Sequence, residues 1–260
     1  MRRVLMAEET PDQRFERLSQ DRIDRPLPKR FYNEVSVGPD FSILLDGRRV
    51  KTPMKAKLLL PSAQLAQAVA DEWQAQVKVI NPALMPLTKL ANTAIDRVGA
   101  ERAHIAGEVV RFAGNDLVSY RADRPAELVA LQAQHWDQVL VWTPQALGVQ
   151  FKIVYGVIHI AQEPDALQAV ERYVAGLDSF ALAGVHNVMS LTGSALLALM
   201  LHARSLSGEE VWAAAHVDED FQIKQWGEDF EAAARRAHRK SEFDATVRFL
   251  ESIDGHSPTT

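Results

Sequence analysis

The chain contains no cysteine among its 260 residues. Disulfide bonds, thiolate metal sites and cysteine nucleophiles are therefore excluded. It also has no excess of positive charge, because its formal net charge at pH 7 is -5. A mildly acidic chain has no general attraction for nucleic acids or anionic lipids, so we expect neither as a partner.

Long apolar runs are missing as well. The most apolar later stretch, 195–201, is seven residues long, whereas a membrane-spanning helix needs about 20. The first 30 residues lack the apolar segment of a secretory signal, and they include six acidic residues, which are scarce in transit peptides. We therefore expect no membrane insertion and a cytoplasmic location in a bacterium.

The first third of the chain has the pattern of a small sheet. Strand-like runs separated by turn residues are predicted at 33–37, 41–45, 48–52 and 57–60. Asp46-Gly47 between two such runs is a strong hairpin signal. A sheet of this size is only marginally stable alone, so we expect helices to cover it.

From Ser62 onward the pattern becomes helical. Apolar side chains recur every four residues at Leu65, Val69, Trp73 and Val77, which predicts one buried helix face. The whole chain therefore predicts an α+β fold, with a small N-terminal antiparallel β domain followed by a larger mainly α-helical domain. The expected divisions are a flexible arm at 1–29, the β domain at 30–61, the helical domain at 62–255 and a tail at 256–260.

Three later segments carry specific predictions. Weak alternation at 150–160 predicts a strand, and the nearly continuous apolar stretch 180–204 predicts one central buried helix. Within that helix we expect Gly193 to permit close helix packing and Ser194 to bond back to its own helix. Ser207 and Glu210 form a capping-box pattern that begins a helix running, with its continuation, to about residue 250.

Local signatures of catalysis are absent from the sequence. It has no GxGxxG, no GxxxxGK[ST] and no GxSxG, so the usual phosphate loops and the serine nucleophile elbow are missing. None of the eight histidines has a partner at HxxxH spacing. We therefore expect no cofactor and no enzymatic activity. The alternative is a small-molecule enzyme with an acidic site around Asp218 and Glu219, because Asp218–Asp220 is a run of three acids.

Glu219 is the most informative candidate residue. Trp212, Glu219 and Trp226 are spaced by seven, which in a continuous helix places them on one face. An unpaired buried carboxylate is costly. Two interpretations stay open: an internal ion pair with an arginine, or an acid that faces a partner and is flanked by aromatic anchors.

Several segments resemble the ATP-twelve family of ATP synthase assembly chaperones. They are LDGRRVKTP (45–53), ADEW (70–73), MPLTKLANTAID (85–96), NDLVSYRADRP (115–125), HWD (135–137), LTGSALLAL (191–199) and VDEDFQIKQWGED (217–229). Seven segments in the family's order form a specific signal, which extends from Arg30 to about Leu250. Two positions depart from the family: Tyr32 stands where a tryptophan is common, and Ser119 where a cysteine is common.

The resemblance implies a chaperone with no catalytic activity. Its transient partner would be the free α subunit of ATP synthase, whose β-facing interface it would shield; eukaryotic members are mitochondrial. We expect the chaperone to be a monomer. The resemblance assigns partner binding first to Glu219, Gln222 and Trp226, and then to Glu72 and Trp73. For Trp73, a core position on the helix face described above is the competing interpretation. A third functional possibility is a structural subunit that stays in the final complex.

Overall fold

The computed structural model describes residues 26–156 and 158–253. Its N-terminal part is a three-stranded antiparallel sheet in the order β1–β2–β3. The strands are Val35–Val37 (β1), Ile43–Leu45 (β2) and Arg48–Arg49 (β3). The rest is mainly helical, so the predicted α+β fold is confirmed. The predicted tail and most of the predicted arm lie outside the described residues, and the domain limits stay predictions.

The hairpin between β2 and β3 turns at Asp46 and Gly47, as predicted. Both residues have positive φ, 47° and 76°, as a type I′ turn requires, and Leu45 pairs with Arg48 across it. The Asp46 carboxylate accepts hydrogen bonds from the backbone N–H groups of Glu34 at 2.8 Å and Asn33 at 3.0 Å. These bonds lower the pKa of Asp46 below its usual value.

The strands are shorter than predicted. Phe41 has φ of 58°, a left-handed conformation that is incompatible with a strand, so β2 begins only at Ile43. The predicted strand 57–60 is reduced to isolated bridges, in which Lys57 faces Lys51 and Leu59 faces Ser42.

From residue 164 onward the helices are connected by short loops, whereas longer segments join the earlier ones. The helices are Ala63–Gln74 (α1), Pro86–Thr93 (α2), Gly99–Ala113 (α3), Ala126–Ala146 (α4), Pro164–Ala175 (α5), Ser179–Thr192 (α6), Ala195–His202 (α7), Gly208–Ala215 (α8), Val217–Trp226 (α9) and Phe230–Ile253 (α10). A π-helical segment, Ala94–Val98, joins α2 to α3, and Pro82–Leu84 and Leu117–Ser119 are single 3-10 turns.

The strand predicted at 150–160 is mostly loop among the described residues of that segment. Of these, only Val154–Tyr155 (β5) is extended and paired, and it lies parallel to Tyr120–Arg121 (β4). The alternation of apolar and polar residues in this segment is too weak to specify a longer strand. The two paired residues therefore form only a short parallel ladder with β4.

Helix α1 begins where the sequence predicts and ends earlier. The Ser62 hydroxyl accepts a hydrogen bond from the backbone N–H of Leu65 at 3.0 Å, which caps the first turn. The helix ends at Gln74, so Val77 lies beyond it and is 80% exposed. The prediction that Val77 belongs to the buried face of this helix is therefore wrong. Leu65 and Val69 are fully buried, and Trp73 is partly buried.

The predicted single helix 180–204 is wrong, because it breaks into α6 and α7 at Gly193. Gly193 has φ of 73°, which glycine adopts without a Cβ clash, and nothing lies within 4 Å of the position of its missing Cβ. It therefore ends a helix rather than permitting close packing. The Ser194 hydroxyl caps α7 by accepting from the backbone N–H of Leu197 at 3.0 Å.

The capping box at Ser207 and Glu210 is confirmed, but the helix that it begins is short. It ends at Ala215, and His216 has φ of -116° and ψ of 15°, outside the helical region. The segment predicted as one helix with its continuation is three helices, α8 to α10. This break changes which residues share a surface.

The core is centred on α6 and α7, and α10 packs against α6. All of α7 from Ala195 to Leu201 is buried. The same core includes Ile43 and Leu58 from the sheet region, so the two parts share one continuous apolar interior. Within the described residues, no helix has the length and apolar character to cross a lipid bilayer.

Candidate partner-binding surface

The junction between α9 and α10 leaves two large aromatic side chains exposed to solvent. Gly227 has φ of 85° and ψ of 169°, a conformation almost restricted to glycine, and it reverses the chain. Asp229 then caps α10 by accepting a hydrogen bond from the backbone N–H of Ala232 at 2.8 Å. Trp226 before the reversal is 79% exposed, and Phe230 after it is 87% exposed.

Three of the predicted partner-binding residues come together at this junction. Glu219, Gln222 and Trp226 all lie on α9 and line a groove of roughly 250 Å³ between α9 and α10. Their spacing of three and four residues places them on one helix face. The opposite wall includes Ala232 and Arg236 of α10. We call this groove, with the exposed Trp226 and Phe230, the α9–α10 surface.

Glu219 has no arginine partner among the described residues. The nearby guanidinium of Arg236 forms an ion pair with Asp220 instead. The Glu219 carboxylate lies 3.9 Å from Nε2 of His216. Burial lowers the pKa of His216, which favours the neutral ring, so this contact is not a strong ion pair at neutral pH. Glu219 therefore presents a carboxylate beside exposed aromatic groups.

Trp212 does not belong to this surface, contrary to the seven-residue spacing. Because the helix ends before His216, Trp212 lies on α8 and is only 7% exposed. Its ring stacks on that of His216, with centroids 3.8 Å apart, and contacts Phe243 at 5.2 Å. Trp212 is a core residue, and Trp226 is the aromatic group that faces solvent.

The acidic run next to this surface is engaged in different structural contacts. Asp218 accepts a hydrogen bond from the side-chain amide of Gln132 at 2.7 Å, and Gln132 in turn accepts from the backbone N–H of Ala122 at 2.8 Å. Asp218 therefore joins α9 to α4 and to the segment after β4. Across residues 26–156 and 158–253, no group of three or more His, Asp or Glu side chains is arranged to hold a metal ion.

Glu72 of α1 caps the N-terminus of α2. Its carboxylate accepts hydrogen bonds from the backbone N–H groups of Leu87 at 2.7 Å and Thr88 at 2.8 Å, and from the Thr88 hydroxyl at 2.7 Å. These groups belong to the first turn of α2, whose N–H donors have no intrahelical partners. Burial raises the pKa of Glu72 above its usual value. Both oxygens are engaged internally, so its role as a partner contact stays a prediction.

Trp73 lies at the C-terminal end of α1, next to the β-sheet. Its ring meets that of Tyr32 edge to face at 5.8 Å, and the Tyr32 hydroxyl donates to the Trp73 carbonyl oxygen at 2.7 Å. Trp73 also lines a second groove, described below, so it is neither fully core nor part of the α9–α10 surface. Its role in partner binding likewise stays a prediction.

Phe230, the most exposed aromatic side chain of the α9–α10 surface, is absent from the residues predicted from the sequence. A signal was present, because Phe230 follows the Trp-Gly pair by three residues, and a glycine after an aromatic residue often ends a helix. It was missed because the segment was interpreted as a continuous helix.

Comparisons with known proteins agree with this architecture. Residues 29–144 match the family model described as ATP12 chaperone protein. The mitochondrial protein atp12 of Schizosaccharomyces pombe is 24% identical over 221 residues, which cover 78% of this chain and 76% of that protein.

Solved structures are more similar. The crystal structure of Atp12 from Paracoccus denitrificans is 37% identical, with a TM-score of 0.81, over 87% of this chain and 98% of that one. A point mutant of the same protein superposes with a TM-score of 0.83. The Atu1473 protein of Agrobacterium tumefaciens is 42% identical, with a TM-score of 0.82, over 95% of this chain and 92% of that one.

Proposed function

Because the chain belongs to the ATP12 chaperone family, we propose that it is an assembly chaperone for the catalytic head of the proton-transporting ATP synthase. Its client is the free α subunit, whose β-facing interface it covers until assembly. An unassembled subunit exposes a large apolar surface that promotes aggregation, and a transient cover prevents this.

The observation that carries the proposal is the α9–α10 surface. Trp226 and Phe230 together expose aromatic area that contributes little to this chain's own core, since they are 79% and 87% exposed. Aromatic side chains beside a charged group are typical of protein interfaces, where a few anchors supply most of the binding energy. The Glu219 carboxylate supplies the charge and selects a basic counterpart on the client.

A light-scattering assay with isolated α subunit tests the proposal. The chaperone should suppress aggregation at a near-equimolar ratio, because one monomer covers one interface. Citrate synthase unfolded by heat serves as the control client. Equal protection of both proteins would indicate a general holdase and would contradict the assignment to the α subunit.

We further propose that the protein works without catalysis and without a nucleotide, in the bacterial cytoplasm. One support is that the sequence has no phosphate loop. The other is that Asp218 is hydrogen-bonded to Gln132, so the alternative enzyme site around Asp218 and Glu219 lacks a cluster of free carboxylates. Isothermal titration with ATP should give no binding heat. Saturable binding with a dissociation constant near 1 μM, or about -8 kcal/mol, would contradict this.

A further inference from the structure

A second groove lies in the N-terminal part of the molecule. It encloses roughly 570 Å³, more than twice the volume of the groove between α9 and α10. Phe31, Tyr32 and Trp73 form its aromatic wall, and the lining also includes Asp46 and the basic side chains of Arg48, Arg49 and Lys51. We call it the basic aromatic groove.

Contacts of Arg30 hold the aromatic wall against the end of α1. The Arg30 guanidinium donates to the carbonyl oxygens of Tyr32, Asn33 and Gln74 at 3.0, 3.1 and 3.2 Å. It also lies 4.5 Å from the centroid of the Tyr32 ring. These contacts attach residues 30–33 to the end of α1. A preorganised wall loses little conformational entropy when a ligand binds.

Phe31 is the exposed part of this wall. It is 73% exposed, although its ring meets that of Tyr32 edge to face at 5.4 Å. The contact holds the Phe31 ring in position while leaving most of its surface in water. A fixed and exposed phenylalanine at the mouth of a groove suits burial by a partner, because covering it gains apolar contact area.

The charge of the groove selects the kind of partner. Arg49 is paired with Asp40 at 2.8 Å, and the Asp46 carboxylate is occupied by backbone N–H donors. Among the described residues, Arg48 and Lys51 form no ion pair, and both are exposed. The groove lining therefore holds three cations and one carboxylate, that of Asp46, whose charge partly offsets that of Arg48. The net charge of this lining is opposite to that of Glu219 on the α9–α10 surface.

We propose that the basic aromatic groove is a second docking site, which binds an extended acidic segment with aromatic or aliphatic side chains from a partner protein. The acids pair with Arg48 and Lys51, and the apolar side chains cover Phe31. A nucleotide would satisfy the same charges, but the chain has no phosphate loop. The proposal does not require the partner to be the α subunit.

Fluorescence anisotropy with a labelled peptide, Glu-Phe-Asp-Leu-Glu-Phe, tests the proposal on the full chain. We expect saturable binding that weakens as salt rises from about 0.05 to 0.3 M. The double variant Arg48→Glu with Lys51→Glu, and separately Phe31→Ser, should each weaken binding about 10-fold or more. The matched control, Arg124→Glu with Arg235→Glu, carries the same charge change on exposed side chains of the helical part and should stay within about 2-fold.

Four outcomes would overturn the proposal. They are no saturable binding up to about 1 mM, equal binding of the charge-inverted peptide Lys-Phe-Lys-Leu-Lys-Phe, equal weakening by the control variant, and displacement of the probe by ATP or by a synthetic peptide of residues 1–25. The last outcome would assign the groove to a nucleotide or to this chain's own N-terminus. None of them bears on protection of the α subunit, so the two proposals fail separately.

Discussion

The carboxylate of Asp116 accepts a hydrogen bond of 2.6 Å from the hydroxyl of Ser194, a residue 78 positions later in the chain. Its second oxygen accepts from the backbone N–H of Leu196 at 2.9 Å, in the first turn of α7. One fully buried side chain therefore joins the loop after α3 to the start of a central helix. The acid satisfies N–H donors that the helix leaves unpaired.

Stability should depend on pH through Asp116. Burial raises the pKa of this carboxyl from 3.8 to about 6, so folding favours the protonated form. The resulting stabilisation is complete below pH 4 and is lost as pH rises through about 6. The difference between these pKa values corresponds to about 3 kcal/mol.

The variant Asp116→Asn isolates this effect. Its amide cannot ionise, and its NH₂ group meets one of the N–H donors, so the variant should be less stable than the wild type. The wild-type advantage should shrink by about 3 kcal/mol between pH 4 and 7. Urea unfolding at several pH values measures the free energy of unfolding of both proteins. If the two free energies change with pH in parallel, the prediction is contradicted.

Gly184 should tolerate no larger residue. A Cβ added there would lie 2.4 Å from Cδ2 and 2.7 Å from Cγ of Leu250, where α6 meets α10. Gly184→Ala should therefore cost about 1–3 kcal/mol. The matched control is Gly107→Ala on α3, where nothing lies within 4 Å of the added Cβ, and this change should stabilise by about 0.5–1 kcal/mol. Thermal unfolding of both variants tests the prediction. Melting temperatures that shift in the same direction for both variants would contradict it.

Glu72 should matter for the fold more than for the partner. In Glu72→Gln, one carboxylate oxygen becomes an NH₂ group that faces the N–H donors of α2, so the free energy of unfolding should fall by about 1–3 kcal/mol. Asp71→Asn, at the exposed neighbouring position, should change it by less than about 0.5 kcal/mol. Affinity for the α subunit, measured below the melting range, should be unchanged. A weaker affinity would instead support the predicted partner contact.

Glu219→Lys should weaken client binding without affecting the fold. The carboxylate is 38% exposed and no described arginine pairs with it, so its removal leaves no buried charge unpaired. Loss of a desolvated interface charge costs about 2–5 kcal/mol, or roughly 30-fold and more in affinity. Glu171→Lys on α5, an exposed helical position outside the α9–α10 surface, is the matched control and should leave the affinity unchanged. A lowered melting temperature for Glu219→Lys would point to an internal role instead.

The two tryptophans that the sequence spacing groups together should behave in opposite ways. Trp226→Ala should leave the melting temperature unchanged, because its side chain is 79% exposed, and should weaken α-subunit binding about 30-fold or more. Trp212→Ala empties a core position and should cost about 3–5 kcal/mol of stability. Calorimetry and a binding titration on both variants separate the effects. Unchanged binding by Trp226→Ala would remove the α9–α10 surface from the proposed function.

Local chemistry made several features predictable. The Asp46-Gly47 hairpin follows from the positive φ that its turn requires, and the start of α1 near Ser62 follows from the change to helical periodicity. The Ser207–Glu210 box depends on unpaired N–H donors in the next turn. The family resemblance was also carried by short segments. In each case the interacting atoms lie within a few residues of one another.

The tertiary structure decided the rest. Gly193 and His216 sit in segments with helical composition, and only the packing around them shows that the helices end there. The break at His216 separates the buried Trp212 from α9, and the break at Gly227 leaves Trp226 exposed, with Glu219 and Gln222 beside Arg236 on another helix. The capping of α2 by the Glu72 carboxylate is visible only in the tertiary structure, and the role of Glu72 as a partner contact stays a prediction. Such roles depend on hydrogen bonds and contacts between residues far apart in the chain, and periodicity within one segment does not specify them.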